Sequence, residues 1–464
     1  MEVASCRNSV VPGVPVLSNR AVADPLSPTT GGLSRLPHES DPDQGGRGGR
    51  GSRVRLIRLL GPAFVAAVAY VDPGNVAANL TAGAKYGYLL LWVLVVANAI
   101  AVIVQYLSAK LGLVTGRSLP QLLGDRLPRT GRILFWAQAE LVVAATDVAE
   151  VIGGAIALQI LFDLPLLLGG VIVAAVSLGL LAFQSQRSPR TFEFVTMGLL
   201  AIVALGFVAG LFVSPVDWGE AAQGLVPGFD GPESVLLAAS MLGATVMPHA
   251  VYLHSSLVQG RRAAPPGESG GRPVGSSSSG TSVPRLLRAT RWDVSLSLAV
   301  AGSVNIALLL IAAASLAGVA GTDSIEGASA AISQELGPAI GIAFGIGLLA
   351  SGLASTSVGC YAGSEIMGGL LRVHVPVMVR RVVTVVPALV ILALGVDPTW
   401  ALVLSQVLLS IGIPFALVPL AWFTGRAEIM GEYTNRAQLR LAAAVAAVAV
   451  VALNGALVWL ALAG

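Results

Sequence analysis

The chain has 464 residues, of which 55% are hydrophobic and 11% charged, with a mean hydropathy of +0.79 and a formal net charge of +3. Soluble domains carry roughly 25% charged residues, so this composition excludes a globule clothed in water and points to a chain that lives in lipid. The two cysteines, Cys6 and Cys360, exclude a disulfide framework or a cysteine metal cage, and the small positive balance sits in loop arginines, with no basic face for a nucleic acid.

Residues 1–55 are rich in Pro, Gly, Ser and Arg and lack an apolar h-region, so they read as a disordered cytoplasmic leader and not as a cleavable signal. From Leu56 onward, apolar windows fall near 57–83, 88–113, 133–160, 164–184, 192–213, 233–258, 294–317, 337–370, 382–395, 399–421 and 438–461. Most approach the roughly 20 residues that a spanning helix needs. The expected fold is therefore an all-α membrane protein of about eleven transmembrane helices, here called spans 1 to 11.

The connections separate by charge. Those after spans 2, 4, 6, 8 and 10 hold Arg117, Arg126, Arg129, Arg187, Arg190, Arg261, Arg262, Arg372, Arg380, Arg381 and Arg426, and the leader adds Arg53, Arg55 and Arg58. The others hold Lys85, Asp163, Asp217, Glu220, Asp230, Asp323, Glu326 and Asp397. Positive residues gather on the cytoplasmic side, which predicts a cytoplasmic N-terminus and an extracytoplasmic C-terminus. The stretch 260–285, with its run of serines, reads as a flexible cytoplasmic linker.

Span 1 contains Val71-Asp72-Pro73-Gly74-Asn75-Val76 and span 6 contains Val246-Met247-Pro248-His249-Ala250-Val251, an offset of 247 − 72 = 175 residues. Proline removes a donor and glycine weakens a helix, so both spans are expected to unwind here and leave backbone groups unpaired. If each break opens a half of five helices, the odd number inverts the second half. Two inverted five-helix repeats (about 57–213 and 233–421) plus one extra helix (about 438–461) is the plan of secondary transporters, which bind substrate where the breaks meet.

Asp72 is an ionisable group near mid-membrane and is read as functional on that ground. Asn75 adds a neutral oxygen, Met247 a thioether, and the unwound backbone at Ala69 and Ala244 two carbonyls. One anion, several neutral oxygens and one soft sulfur suit a divalent ion of the first transition row, whereas magnesium and calcium prefer oxygen alone. A methionine in a core is usually a gap-filler, but this one directly precedes the proline of the break.

These motifs, with Tyr252-Leu253-His254-Ser255-Ser256, resemble the Nramp family of proton-coupled manganese and iron transporters. The resemblance covers roughly residues 56–461. It extends to Glu140 and Ala145-Thr146-Asp147-Val148-Ala149-Glu150 in span 3, Ala354-Ser355-Thr356 and Tyr361-Ala362-Gly363 in span 8, and Ser405-Gln406-Val407 with Ile413-Pro414-Phe415-Ala416 in span 10. It implies a LeuT-like fold and a bacterial inner-membrane importer with no cofactor, whose substrate is Mn2+ or Fe2+ and whose coupling ion is H+. It further implies that Asp72, Asn75, Met247 and the carbonyls of Ala69 and Ala244 bind the metal, with Gln406 joining in some states. Three departures stand out: Ala250 where Asn usually follows the Met-Pro-His, Leu353-Ala354 where the family has Gln-Ser, and Gly412 in place of a second Gln.

Glu140, Asp147 and Glu150 fall at roughly 0°, 700° and 1000° around span 3 and so share one face. Carboxylates in lipid must be paired, neutralised or wet, and Arg380 and Arg381 are the expected partners. His249 is read as the link from the metal site to Glu150, because imidazole titrates near neutral pH. The competing reading is a purely structural ion-pair cluster. His254, roughly 140° further round its helix, is assigned a structural or gating part, and His38 and His374 none.

Other classes remain in view. A sodium- or proton-coupled symporter of a small organic substrate has no use for Met247, and a magnesium-selective relative is disfavoured by the same thioether. An intramembrane enzyme would need a His-Glu-x-x-His helix or a nucleophile and base, and neither occurs. A passive channel differs only in gating. The expected partners are metal ions, protons and the bilayer, with no obligate protein partner.

Overall fold

Hydrocarbon offers no water to a peptide group, so a spanning chain must fill its hydrogen bonds internally, and helices do so within one segment. The computed structural model describes residues 62–185, 198, 201–202, 204–205, 207–208, 210–259, 283–319, 321–322, 324–373 and 375–463; their regular structure is helical, with no strand among them. The leader with Cys6 and His38, the arginines at 53, 55, 58, 187, 190, 261 and 262, Asp323, His374, and the linker up to residue 282 lie outside the described residues.

Span 1 is a broken pair, α1 (Pro62–Ala69) and α2 (Pro73–Tyr86). Then follow α3 (Leu91–Thr115), a short α4 (Leu119–Arg126), α5 (Arg129–Phe162) and α6 (Leu166–Ser185). Span 5 is helical wherever it is described between 198 and 211. After a short α7 (Trp218–Gln223), span 6 is a second broken pair, α8 (Gly231–Thr245) and α9 (Pro248–Leu257). The remainder is α10 (Val283–Ser315), a short α11 (Ile325–Glu335), α12 (Pro338–Leu371), α13 (Val377–Ala393), α14 (Pro398–Thr424), a short α15 (Ala427–Met430) and α16 (Ala437–Ala463). With α8 and α9 counted as one, seven of these are long and apolar enough to cross a bilayer. The α1–α2 pair, α6 and α13 stand at three more of the expected spans among the described residues, and span 5 is described only in part.

Contacts between connections support their alternation. Asp125, after span 2, pairs with both Arg117 and Arg372, the latter after span 8. Lys110 near the end of α3 reaches Asn435, after span 10, at 2.7 Å. At the other end Lys85, closing span 1, pairs with Glu233, opening span 6, at 2.6 Å, and Ile325 N donates to Thr399 Oγ1 across the connections after spans 7 and 9.

Two boundaries differ from the sequence reading. The linker expected over 260–285 is already helical from Val283, because Arg285, Arg288, Arg291 and Asp293 ride on an extension of α10 rather than on a loop. Arg380 and Arg381, expected where a connection enters span 9, lie inside α13 and are buried. A guanidinium is tolerated there only with partners, and both have them. The short helices α4, α7, α11 and α15 were not foreseen, since eight or fewer polar-capped residues, or eleven in α11, leave no spanning window. Their starts are nonetheless written locally: Ser118 and Gln121 form a capping box on α4, and Asp217 caps α7.

Candidate functional site

A helical proline leaves the carbonyl four residues earlier without a donor. Pro73 does this to Ala69, and Pro248 to Ala244. At both places the helix stops and restarts with proline at the first position; the N-cap position holds Asp72 in one half, whose carboxylate accepts from Asn75 N, and Met247 in the other, which makes no side-chain cap bond. The 175-residue equivalence is thus one of position in the break as well as spacing.

The unwound carbonyls of span 1 are filled from other helices. Asn305 Nδ2 of α10 donates to Tyr70 O at 2.9 Å, and Ser351 Oγ of α12 donates to Val71 O. The two breaks are joined directly: Asn75 Nδ2 donates to Ala244 O at 2.8 Å and to Asp72 Oδ1 at 2.9 Å. The Asn75 N–H also donates to Asp72 Oδ1, at 2.8 Å, and Gln406 Nε2 of α14 approaches Asp72 Oδ2 at 3.5 Å. Gly74 makes that approach possible, since a Cβ there would overlap the Gln406 amide. Asp72, Asn75, Met247, Ala69, Ala244 and Gln406 are all buried.

Two features of this site bear on its chemistry. Among the described residues no ion pair reaches Asp72, so a carboxylate stands in the membrane interior against amide donors alone. Moreover Asn75 Oδ1 and Gln406 Oε1 are buried and accept no hydrogen bond. An acidic oxygen without a countercharge beside two idle amide oxygens is an arrangement that a cation completes. No group of three or more His, Cys, Asp or Glu side chains able to hold a metal occurs among the described residues, so the donor set here is of a different kind from a resident metal centre.

The second cluster lies on α5. Arg381 NH1 is 2.8 Å from Asp147 Oδ1 and 3.3 Å from Glu150 Oε2. Its other nitrogens donate to Ser177 of α6 and Thr356 of α12, so one guanidinium ties four helices. Arg380 pairs with Glu140 at 2.5 Å and donates to Cys360 O. The pairing expected from the sequence is present. His249 meets helix α5 at Thr146, with Nδ1 and Oγ1 3.4 Å apart, one turn before Glu150. Thr146 was not assigned a part from sequence; its spacing of four from Glu150 was the available signal. His254 Nδ1 lies 2.6 Å from Gln105 Oε1, and Gln105 Nε2 donates to Tyr70 OH at 2.6 Å, which ties α9 to α3 and to the first break.

Two further residues escaped the sequence reading. Asn79, one turn beyond Asn75, is fully buried with neither amide atom partnered. Gln138 of α5 stands against Gly412: a Cβ at 412 would fall 3.0 Å from Gln138 Nε2, with Pro248 and Val142 also in contact, and Gln138 Oε1 is unpartnered. The departure at Gly412 therefore leaves no room there for a long side chain, and an amide from α5 occupies the neighbourhood. Ala250 and Ala354 are buried.

A family model described as natural resistance-associated macrophage protein-like (Nramp) matches residues 63–460. The divalent metal cation transporter MntH of Mycobacterium tuberculosis is 56% identical over 406 residues, 88% of this chain and 92% of that one. A crystal structure of the Eremococcus coleocola manganese transporter is similar with a TM-score of 0.75 and 29% identity, over 88% of this chain and 87% of that one. The closed conformation of Mhp1, a nucleobase-cation-symport-1 transporter, shares the fold alone, with a TM-score of 0.56 and 16% identity over 87% and 93% of the two chains.

Proposed function

This chain belongs to the Nramp family, and we propose that it imports divalent transition-metal ions such as Mn2+ and Fe2+ into the cytoplasm with protons, by alternating access. It is a transporter and not an enzyme. The observation that carries the reading is the uncompensated Asp72 carboxylate, held only by amide N–H donors where two broken helices meet, with the oxygens of two of those amides, Asn75 and Gln406, left unpartnered. The names of the relatives, a divalent metal cation transporter and a manganese transporter, support the same substrate class.

In this mechanism a partly dehydrated ion meets Asp72, Asn75, the Ala69 and Ala244 carbonyls and the Met247 thioether, with Gln406 closing over it. The sulfur sets the preference, since a hard ion such as Ca2+ gains little from a thioether and loses water to reach it. The arriving charge displaces a proton from Asp72. His249, Thr146, Glu150, Asp147 and Glu140 then pass it toward the cytoplasm, with Arg380 and Arg381 stabilising the carboxylates. Two guanidiniums balance two of the three carboxylates on α5, and the third has capacity to hold a proton in transit. The arginine-rich connections support a cytoplasmic N-terminus and an extracytoplasmic C-terminus in the inner membrane.

The test is Mn2+ uptake into liposomes that hold the purified protein and a pH dye. Wild type is expected to take up Mn2+ in preference to Ca2+ while acidifying the lumen, and Met247→Ala to lose that preference. Unaltered discrimination in Met247→Ala removes the sulfur from the ligand set, and uptake with no acidification removes the proton.

A further inference from the structure

The tenth span carries a further carbonyl emptied by proline. Pro414, inside α14, has no N–H to give to Ser410 O, and the lipid interior supplies no water in its place. A donor from another helix fills it: Asn454 Nδ2 of α16 reaches Ser410 O at 3.1 Å while also donating to Val450 O of its own helix at 3.0 Å. This is unexpected in α16, which stands outside the two five-helix repeats. Only 28% of its apolar window is buried, against 56% or more in the other six long spans, yet its asparagine is turned inward and buried.

The turn that Asn454 grips is also in close contact with α8. A Cβ at Gly243 of α8 would overlap Gln406 O and crowd Ser410 N, so the backbones of α8 and α14 touch there without side chains between them. Gln406, one turn before Ser410, is the residue that approaches Asp72. The segment 406–410 therefore touches both α8, just before the break of span 6, and a post supplied by span 11. In addition, Ser410 Oγ and Asn454 Oδ1 are both buried and unpartnered. One can donate and the other accept, so this residue pair holds a second bond in reserve for a shifted position of α14.

We propose that Asn454 is a positioning residue for transport: it fills the carbonyl that Pro414 empties, sets the bend of α14, and so governs how Gln406 closes on and leaves the metal site. When α14 shifts, the Ser410 hydroxyl takes up the Asn454 oxygen and the contact between the two spans survives the movement. This rests on the transport reading above. Asn454 touches no proposed metal ligand, so its effect falls on the rate of the conformational step and not on the affinity for the ion.

The experiment compares initial Mn2+ uptake rates of wild type, Asn454→Leu, Pro414→Ala and the double variant in liposomes. Asn454→Leu is expected to lower the maximal rate about tenfold, the scale of one buried hydrogen bond, with KM within about twofold of wild type. In the double variant residue 414 regains an N–H for Ser410 O, so at least half of the lost rate returns. A wild-type maximal rate in Asn454→Leu, or a double variant no faster than Asn454→Leu, overturns the proposal. If Asn454→Leu alone does not fold, the double variant decides: recovery of a folded protein supports the post, and a double variant that also fails to fold refutes it. Wild-type vesicles that take up no Mn2+ would sink the transport reading first, and this proposal with it.

Discussion

Two buried polar clusters lie in one helical bundle and treat charge in opposite ways. Around α5, three carboxylates face two guanidiniums, and Arg381 is surrounded by Asp147, Glu150, Ser177 and Thr356. At the breaks, Asp72 meets amides only. An ion pair removed from water is self-sufficient once its hydrogen bonds are complete, whereas a lone carboxylate in the same surroundings is incomplete until a cation or a proton arrives. The first arrangement suits a fixed scaffold able to hold a proton, and the second suits a site that must load and empty.

The largest way to sharpen that contrast is to break both clusters and compare stability. Arg381→Ala strands two buried carboxylates and is expected to cost about 3–5 kcal/mol, read as a fall in the thermal unfolding midpoint in detergent. Asp72→Asn removes a charge that has no partner, so the midpoint should stay or rise. Mn2+ uptake by Asp72→Asn should nonetheless fall by at least about 100-fold. A folded Asp72→Asn protein that transports normally would end the idea that the unbalanced carboxylate draws the ion.

Next in size is the division between proton and metal. His249→Ala combined with Asp147→Asn is expected to leave a folded protein whose Mn2+ uptake persists while lumenal acidification drops by about tenfold or more. Unchanged proton flux would assign α5 and α13 to structure alone. Smaller again is Asn305→Ala, which deprives Tyr70 O of its donor from α10. A loss of about 1 kcal/mol is expected, and no change in the unfolding midpoint would mean that water replaces the amide at the first break.

The smallest effect belongs to an exposed pair of arginines. Arg117 and Arg372 hold the Asp125 carboxyl below its ordinary value, chiefly through the Arg117 hydrogen bond. A carboxyl lowered on folding contributes stability above its unfolded value of about 3.9, and that contribution is lost as pH falls through the lower folded value. Asp125→Asn should therefore shift the unfolding midpoint slightly at pH 7, by less than about 1 kcal/mol given its exposure, and the difference from wild type should vanish in strong acid. A difference that persists there would point to packing and not to charge.

Much of this protein was determined by the chain alone, because the governing effects are local. Lipid sets the length of an apolar window, and proline empties the carbonyl four residues back wherever the helix lies, so the spans and both breaks, with Asp72, Asn75 and Met247 located at them, were legible in the sequence. The shared face of Glu140, Asp147 and Glu150 followed from helical period in the same way. What only the tertiary structure decided is which distant group meets each emptied or charged atom: Asn75 for Ala244 O across 169 residues, Asn305 for Tyr70 O across 235, Thr146 for His249 across 103, and Asn454 for Ser410 O across 44. An amide in a helix carries no mark of its partner, since hydrogen bonds between helices depend on rotation and approach that the packing of the whole bundle sets. The pairing of Arg380 and Arg381 with α5 was expected from the sequence, but their full burial inside α13 was decided by the packing.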